Sequence, residues 1–151
     1  MKIFSQSSGA QQIDSAMEFV FPKGINGFEE HTRFRLMPQD DSLQLYKLES
    51  GVDAGVAFWV AQPSAFNMNY CFILTQAELD CLQIERPDEL LILVILQKDA
   101  DNQPFIKGTM NSPLLINRTK NIGMEKLLIY VDQAIVIESP QHSRIELIER
   151  V

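Results

Sequence analysis

The ten residues from Phe21 to Glu30, Phe-Pro-Lys-Gly-Ile-Asn-Gly-Phe-Glu-Glu, constrain the fold of this chain more than any other stretch. Two glycines three apart, a proline and three large apolar residues (Phe21, Ile25, Phe28) fall within eight positions. Glycine reaches backbone angles closed to other residues, and proline fixes its own φ and gives up a hydrogen-bond donor. The segment reads as a tight, well-packed corner with Phe21 and Phe28 as its plugs. Turn chemistry accounts for every residue type in it. The corner is therefore either purely structural or the frame of a binding surface, and nothing in it points to catalysis.

The flanking residues read as strands. Met17, Phe19 and Phe21 alternate with polar positions and predict a strand from Ile13 into the corner. Thr32 to Met37 puts Phe34 and Leu36 on one face and Arg33 and Arg35 on the other. Pro38 to Ser42 is a turn by composition, and a strand from Leu43 to Leu48 follows, broken by Glu49 to Asp53. Val56 to Ala61 is apolar on both faces and reads as a central strand with Trp59 in the core. Cys71 to Leu74 is a further strand. Thr75-Gln-Ala-Glu78 is a capping box that opens the one clear helix, and Pro87 stops it within about three turns.

Glu89 to Lys98 is a strand rich in leucine and β-branched residues, and Asp99 to Pro104 has the composition of a hairpin loop. A return strand begins over Phe105 to Gly108, is interrupted at Pro113 and resumes at Leu114 to Ile116. Asn117 to Gly123 reads as a polar loop, and Lys126 to Val131 and Ala134 to Ile137 as two last strands. Residues 2–10 read either as weakly ordered or as a short leading strand. From about 140 the chain reads as a polar tail, either a frayed end or a short docking segment. Many short strands, one or two short helices and no alternating βα units predict a mainly β protein. The expected architecture is a single domain over residues 1–151, a small antiparallel β-barrel-like fold closed enough to protect its edges.

Composition narrows the function. The net charge of −7 argues against binding a phosphate backbone as the main activity. It suits either a basic protein partner or simple solubility. Cys71 and Cys81 form no CxxC and have no clustered histidines, which favours reduced thiols in a cytosolic protein, a single disulfide being the alternative. The longest apolar run, Leu90 to Leu96, falls short of the roughly 20 residues of a membrane helix. A cytoplasmic location without membrane contact is the expectation.

Catalytic and metal chemistry find little support. No motif surrounds either cysteine to pair it with His31 or His142, and two distant histidines do not make a metal cluster. Asp99, Asp101 and Asn102 resemble the start of a calcium loop but lack its glycine and terminal glutamate. Gly24-Ile-Asn-Gly27 opens no helix and so makes no phosphate cradle. Glu29 with Glu30 and Asp40 with Asp41 are adjacent, which on a strand sends them to opposite faces. No enzyme activity and no cofactor is expected. The alternative is a ligand-binding or enzymatic small β-barrel whose pocket carries no recognisable motif.

Phe21-Pro-Lys-Gly-Ile-Asn-Gly-Phe-Glu29 resembles the signature opening of the flagellar assembly factor (FliW) family. Three further pieces follow in the family's order: Leu45 to Ser50 with Val56-Ala-Phe58, then Pro63 with Phe66 and Tyr70, then Pro113-Leu-Leu-Ile-Asn117 with Gly123. The resemblance covers residues 13–137. Thr109 stands where the family usually has asparagine, and Glu125 where it usually has glutamine. The resemblance implies a cytoplasmic regulator that binds flagellin and the translational repressor CsrA, the carbon storage regulator, and so relieves repression of flagellin synthesis. It also implies structural roles for Phe21, Pro22, Gly24, Gly27, Pro113, Asn117 and Gly123.

Candidate partner-binding residues lie at the corner and its neighbours. Phe28 is an aromatic anchor if exposed and a core residue if not. Glu29 and Glu30 would form an acidic rim, Glu49 and Asp53 a second acidic edge, and Tyr70 is either core or interface.

Overall fold

The computed structural model describes residues 1–5, 11–40, 45–98, 104–105, 110–139 and 142–149. Its strands are β1 (Lys2–Phe4), β2 (Met17–Val20), β3 (Arg33–Asp40), β4 (Leu45–Ser50), β5 (Ala57–Ala61), β6 (Met68–Ile73), β7 (Leu90–Lys98), β8 (Pro104–Phe105), β9 (Leu114–Asn117), β10 (Ile122–Glu125), β11 (Val131–Ser139) and β12 (His142–Glu149). One helix, α1 (Gln76–Leu82), and two short 3-10 turns, Pro63–Phe66 and Pro87–Glu89, complete the described elements.

Seven strands in the order β5-β4-β3-β2-β10-β9-β7 close into a barrel, because β5 also pairs with β7 through Trp59 and Leu96, Val60 and Ile95, and Ala61 and Val94. Closure removes the unpaired edges that an open sheet would present. The barrel is antiparallel except at one seam, where β2 and β10 run parallel and register only at Val20 and Ile122. A second sheet, β1-β6-β12-β11, lies beside the barrel and contains the other parallel pair, β6 with β12.

The alternation of side chains along two strands explains how both layers are filled. On β7, Leu91 and Leu93 belong to one buried cluster with Phe19, Phe21, Phe34, Leu36 and Leu48. Leu90, Ile92 and Val94 on the same strand belong to another, with Tyr70, Phe72, Leu82 and Leu147. β9 divides in the same way: Leu114 and Ile116 join the first cluster and Leu115 the second. The unbroken apolar run at Leu90 to Leu96 is thus what a strand buried on both faces requires. Truncating one of these leucines to alanine would cost about 2–5 kcal/mol.

The helix is capped as expected. Thr75 Oγ1 accepts the Glu78 N–H at 3.2 Å and Glu78 Oε1 accepts the Thr75 N–H at 2.9 Å. At the other end Gln83 is left-handed, with φ of 55°.

Four expectations are corrected. The segment from about 140 is not a tail: β12 pairs with both β11 and β6, and Leu147 is buried in the second cluster. Residues 126–130 are not a strand; they cross between β10 and β11 and expose Leu127, Ile129 and Tyr130. The turn expected at Pro38 starts later, since β3 runs to Asp40 with an irregularity between Pro38 and Asp40. Trp59 is half-buried rather than in the core. The hairpin residues Asp99, Asp101 and Asn102, together with Asp41 and Thr109, lie outside the described residues.

Candidate functional site

The corner is built by a succession of tight turns. Gly24 N–H donates to Phe21 O at 2.9 Å, Phe28 N–H to Ile25 O at 2.6 Å and His31 N–H to Phe28 O at 3.0 Å. Gly24 and Gly27 both have positive φ, at 66° and 87°. A Cβ on Gly24 would also fall 2.5 Å from the Cα of Glu29, so the chain doubles back over a position only glycine can fill. Phe21 and Ile25 point inward and are buried, while Pro22 is exposed. Gly123 on β10 lies directly against the Phe21 ring.

Two carboxylates fix the outer loop of the corner. Glu125 Oε1 accepts the Asn26 N–H at 3.0 Å, and Glu29 Oε1 accepts the Gly27 N–H at 3.1 Å. The bond from Gly27, with help from the Glu29 amide, holds the Glu29 carboxyl below the usual glutamate range. Glu30 is exposed.

Phe28 is the apolar centre of this surface. It retains 37% of its area, with its ring edge-on to Phe58 at 5.2 Å and to His31 at 6.0 Å. Those contacts hold an aromatic ring at the surface in one orientation. His31 Nδ1 bonds Ser50 Oγ at 2.8 Å, and Ser50 Oγ also accepts the N–H groups of Val52 and Asp53 at 3.1 and 3.3 Å. Asp53 Oδ1 accepts the Gly55 N–H at 2.9 Å and so shapes its own loop. Glu49 is half-buried, 3.7 Å from Lys47 Nζ. The structure thus brings Phe28, Glu29 and Glu30 beside the loop carrying Asp53, with His31 and Ser50 as the link.

Tyr70 does not belong to this surface. It is 1% exposed and its hydroxyl donates to the Met110 carbonyl. Burial pushes its phenol pKa well up. Of the two expectations for Tyr70, core or interface, the structure shows the core role.

Asn117 and Pro113 also have structural work. Asn117 is fully buried; its Nδ2 donates to Leu82 O at 2.8 Å and Gln83 O at 3.2 Å, and its Oδ1 accepts the N–H groups of Thr119 and Lys120 at 2.9 and 3.2 Å. One amide therefore satisfies the open carbonyls at the end of α1 and closes the turn after β9. Pro113 is buried and its carbonyl accepts the Lys126 N–H at 3.0 Å. Cys71 and Cys81 are not bridged. The His31 ring is engaged by Ser50, and the His142 side chain lies outside what the structure describes. Among the described residues no three His, Cys, Asp or Glu side chains gather as a metal site, and no helix is long and apolar enough to cross a membrane.

Sequence reasoning missed the partner of Glu125. Its donor, the Asn26 amide, lies 99 residues away, and no local pattern encodes that contact.

Comparison with known proteins agrees with this geometry. Residues 2–138 match the family model described as FliW protein. Flagellar assembly factor FliW 1 of Desulfotalea psychrophila is 32% identical over 109 residues, covering 72% of this chain and 77% of the relative. Flagellar assembly factor FliW of Azoarcus sp. (strain BH72) is 32% identical over 133 residues, covering 85% of this chain and 91% of the relative. Among solved structures, a crystal structure of the flagellar assembly factor FliW superposes with a TM-score of 0.60 at 23% identity, covering 74% of this chain and 77% of the other. That superposition speaks for the fold.

Proposed function

The chain belongs to the FliW family, and on that premise we propose that it is a non-catalytic, cytoplasmic protein-binding factor in bacterial flagellar assembly. Its partners are flagellin and the translational repressor CsrA. Flagellin awaiting export occupies the factor; once flagellin is secreted, the freed factor sequesters CsrA and relieves repression of flagellin synthesis.

The observation that carries this reading is Phe28, an aromatic ring held at the surface between Phe58 and His31 and rimmed by Glu29 and Glu30. A rigid aromatic centre with a polar rim is how interface energy is commonly distributed. The net charge of −7 complements the basic surface that an RNA-binding repressor carries. Glu125 adds a negative charge and lacks the N–H donor of the amide usual there, which favours a partner lysine or arginine over a partner carbonyl at that edge.

The alternative of a ligand-binding or enzymatic barrel with its pocket in the interior is disfavoured, since Phe19, Phe21, Phe34, Leu36 and Leu48 fill that interior. Titration calorimetry of the purified protein against flagellin and, separately, against CsrA from the same organism tests the reading. Binding to both, with flagellin displacing CsrA, supports it. No binding to either folded partner contradicts it.

A further inference from the structure

An open groove of about 840 Å³ runs along the barrel wall at the β2–β10 seam. It lies beside the corner, reaching it through Glu49, Ser50 and Val52. Its lining departs from the rest of this acidic chain. Arg33, Arg35 and Lys120 all face it, and none makes an ion pair among the described residues. Arg35 stands in register between Glu18 on β2 and Glu49 on β4, so its charge is locally balanced. Arg33 stands beside Val20 with the Gly51 amide on its carbonyl, and no carboxylate is opposite it. The three cations outnumber the two carboxylates that line the groove, Glu18 and Glu49, and leave it a net charge of +1 in a chain of −7, over Val20 and Val52, which are 45% and 64% exposed.

Val20 N–H points across the seam and bonds Asn121 O at 2.9 Å, whereas Phe21 N–H points to the β3 side. By strand alternation Glu18 turns its N–H and C=O the same way as Val20. The seam registers only at Val20 and Ile122, which leaves those Glu18 groups without a strand partner among the described residues.

We propose that this groove binds an extended peptide segment in which carboxylate side chains alternate with apolar ones. It lies across the outer face of β2 and β3, where its carboxylates pair with Arg33 and Lys120 and its apolar side chains cover Val20 and Val52. A peptide fits better than a single-stranded nucleic acid because the aromatic residues lining the groove, Phe19 and Phe34, are both buried and offer no face for base stacking. The proposal does not depend on which protein binds at Phe28, so its failure and that of the flagellin–CsrA reading can be told apart.

The test is amide NMR of the full chain titrated with a terminally blocked peptide of alternating glutamate and valine. A lysine–valine counterpart and oligothymidylate serve as competing ligands. The expected result is saturable shifts at Glu18, Val20, Arg33, Val52 and Lys120, weakening as salt rises and falling about tenfold in affinity with Arg33→Glu and Lys120→Glu combined. Both side chains are exposed, so the variant keeps the fold, which its spectrum verifies. Absence of binding, shifts confined to another face, equal binding of the lysine peptide, or tighter binding of oligothymidylate at the same residues would overturn the proposal.

Discussion

Phe21 and Gly123 are packed so closely that a Cβ on Gly123 would lie 2.6 Å from both Cε1 and Cζ of the ring. Phe21 cannot move aside, being fully buried and edge-on to Phe34 at 5.3 Å. This contact joins the corner to β10 just past the single registered pair of the parallel seam. Gly123→Ala is expected to destabilise the protein by about 1–3 kcal/mol through overpacking. Phe21→Leu in the same background should recover part of that loss in a double-mutant cycle. Urea melts read both, and an alanine variant as stable as the parent would refute the contact.

The two corner glycines should differ. Gly27 has a positive φ but open space where a Cβ would be, so Gly27→Ala costs the left-handed strain alone, about 1–2 kcal/mol. Gly24→Ala adds a collision with the backbone of Phe28 and Glu29, which cannot yield as a side chain would. Thermal melts should place Gly24→Ala clearly below Gly27→Ala. The reverse order would contradict the geometry.

Lys126 is 6% exposed, with Nζ at 2.8 and 2.9 Å from the two Glu78 oxygens and 3.9 Å from Glu149 Oε2. Its ammonium ties α1 to β12. Lys126→Met strips the partner from a largely buried carboxylate and should cost about 3–5 kcal/mol. Adding Glu78→Gln, which can still accept the Thr75 amide, should return much of it. Denaturant midpoints of these two variants against the parent decide the point.

Glu89 accepts the N–H groups of Arg86 at 2.8 Å and Glu85 at 3.0 Å, and these bonds hold its carboxyl below the usual range. A lowered folded-state pKa contributes stability that is complete above the unfolded glutamate value, about 4.3, and is lost as pH falls through the lower folded value. Stability measured from neutral pH into that acid range should fall less steeply in Glu89→Gln than in the parent. Identical acid limbs would show that these bonds do not favour the ionised form.

Much of this architecture is local enough to be read from residue patterns. The capping box at Thr75, the two glycines and the double-faced apolar run on β7 each state their own geometry. Closure of the barrel through β5 and β7, and the parallel seam at Val20, depend on which strand meets which, and no alternation encodes that. β12 was hidden because Leu147 alone is fully buried among its described side chains, so its pattern resembles a polar tail. Leu127 and Ile129 misled in the opposite sense: their spacing looks like a strand, yet it is Lys126 and Leu128 that turn inward, leaving both exposed. Tyr70 and Phe28 could each have been core or surface. Tyr70 is buried by a carbonyl 40 residues away, and Phe28 is held outward by Phe58, contacts that only the folded chain specifies.

The central claim is that the exposed side of the corner is the partner surface, and calorimetry on corner variants tests it most directly. Phe28→Ala and Glu29→Lys, each shown to be folded, should weaken binding of flagellin or CsrA by about tenfold or more, as loss of an interface anchor or reversal of a rim charge does. Parental affinity for both partners in both variants would place the binding surface elsewhere and contradict the account.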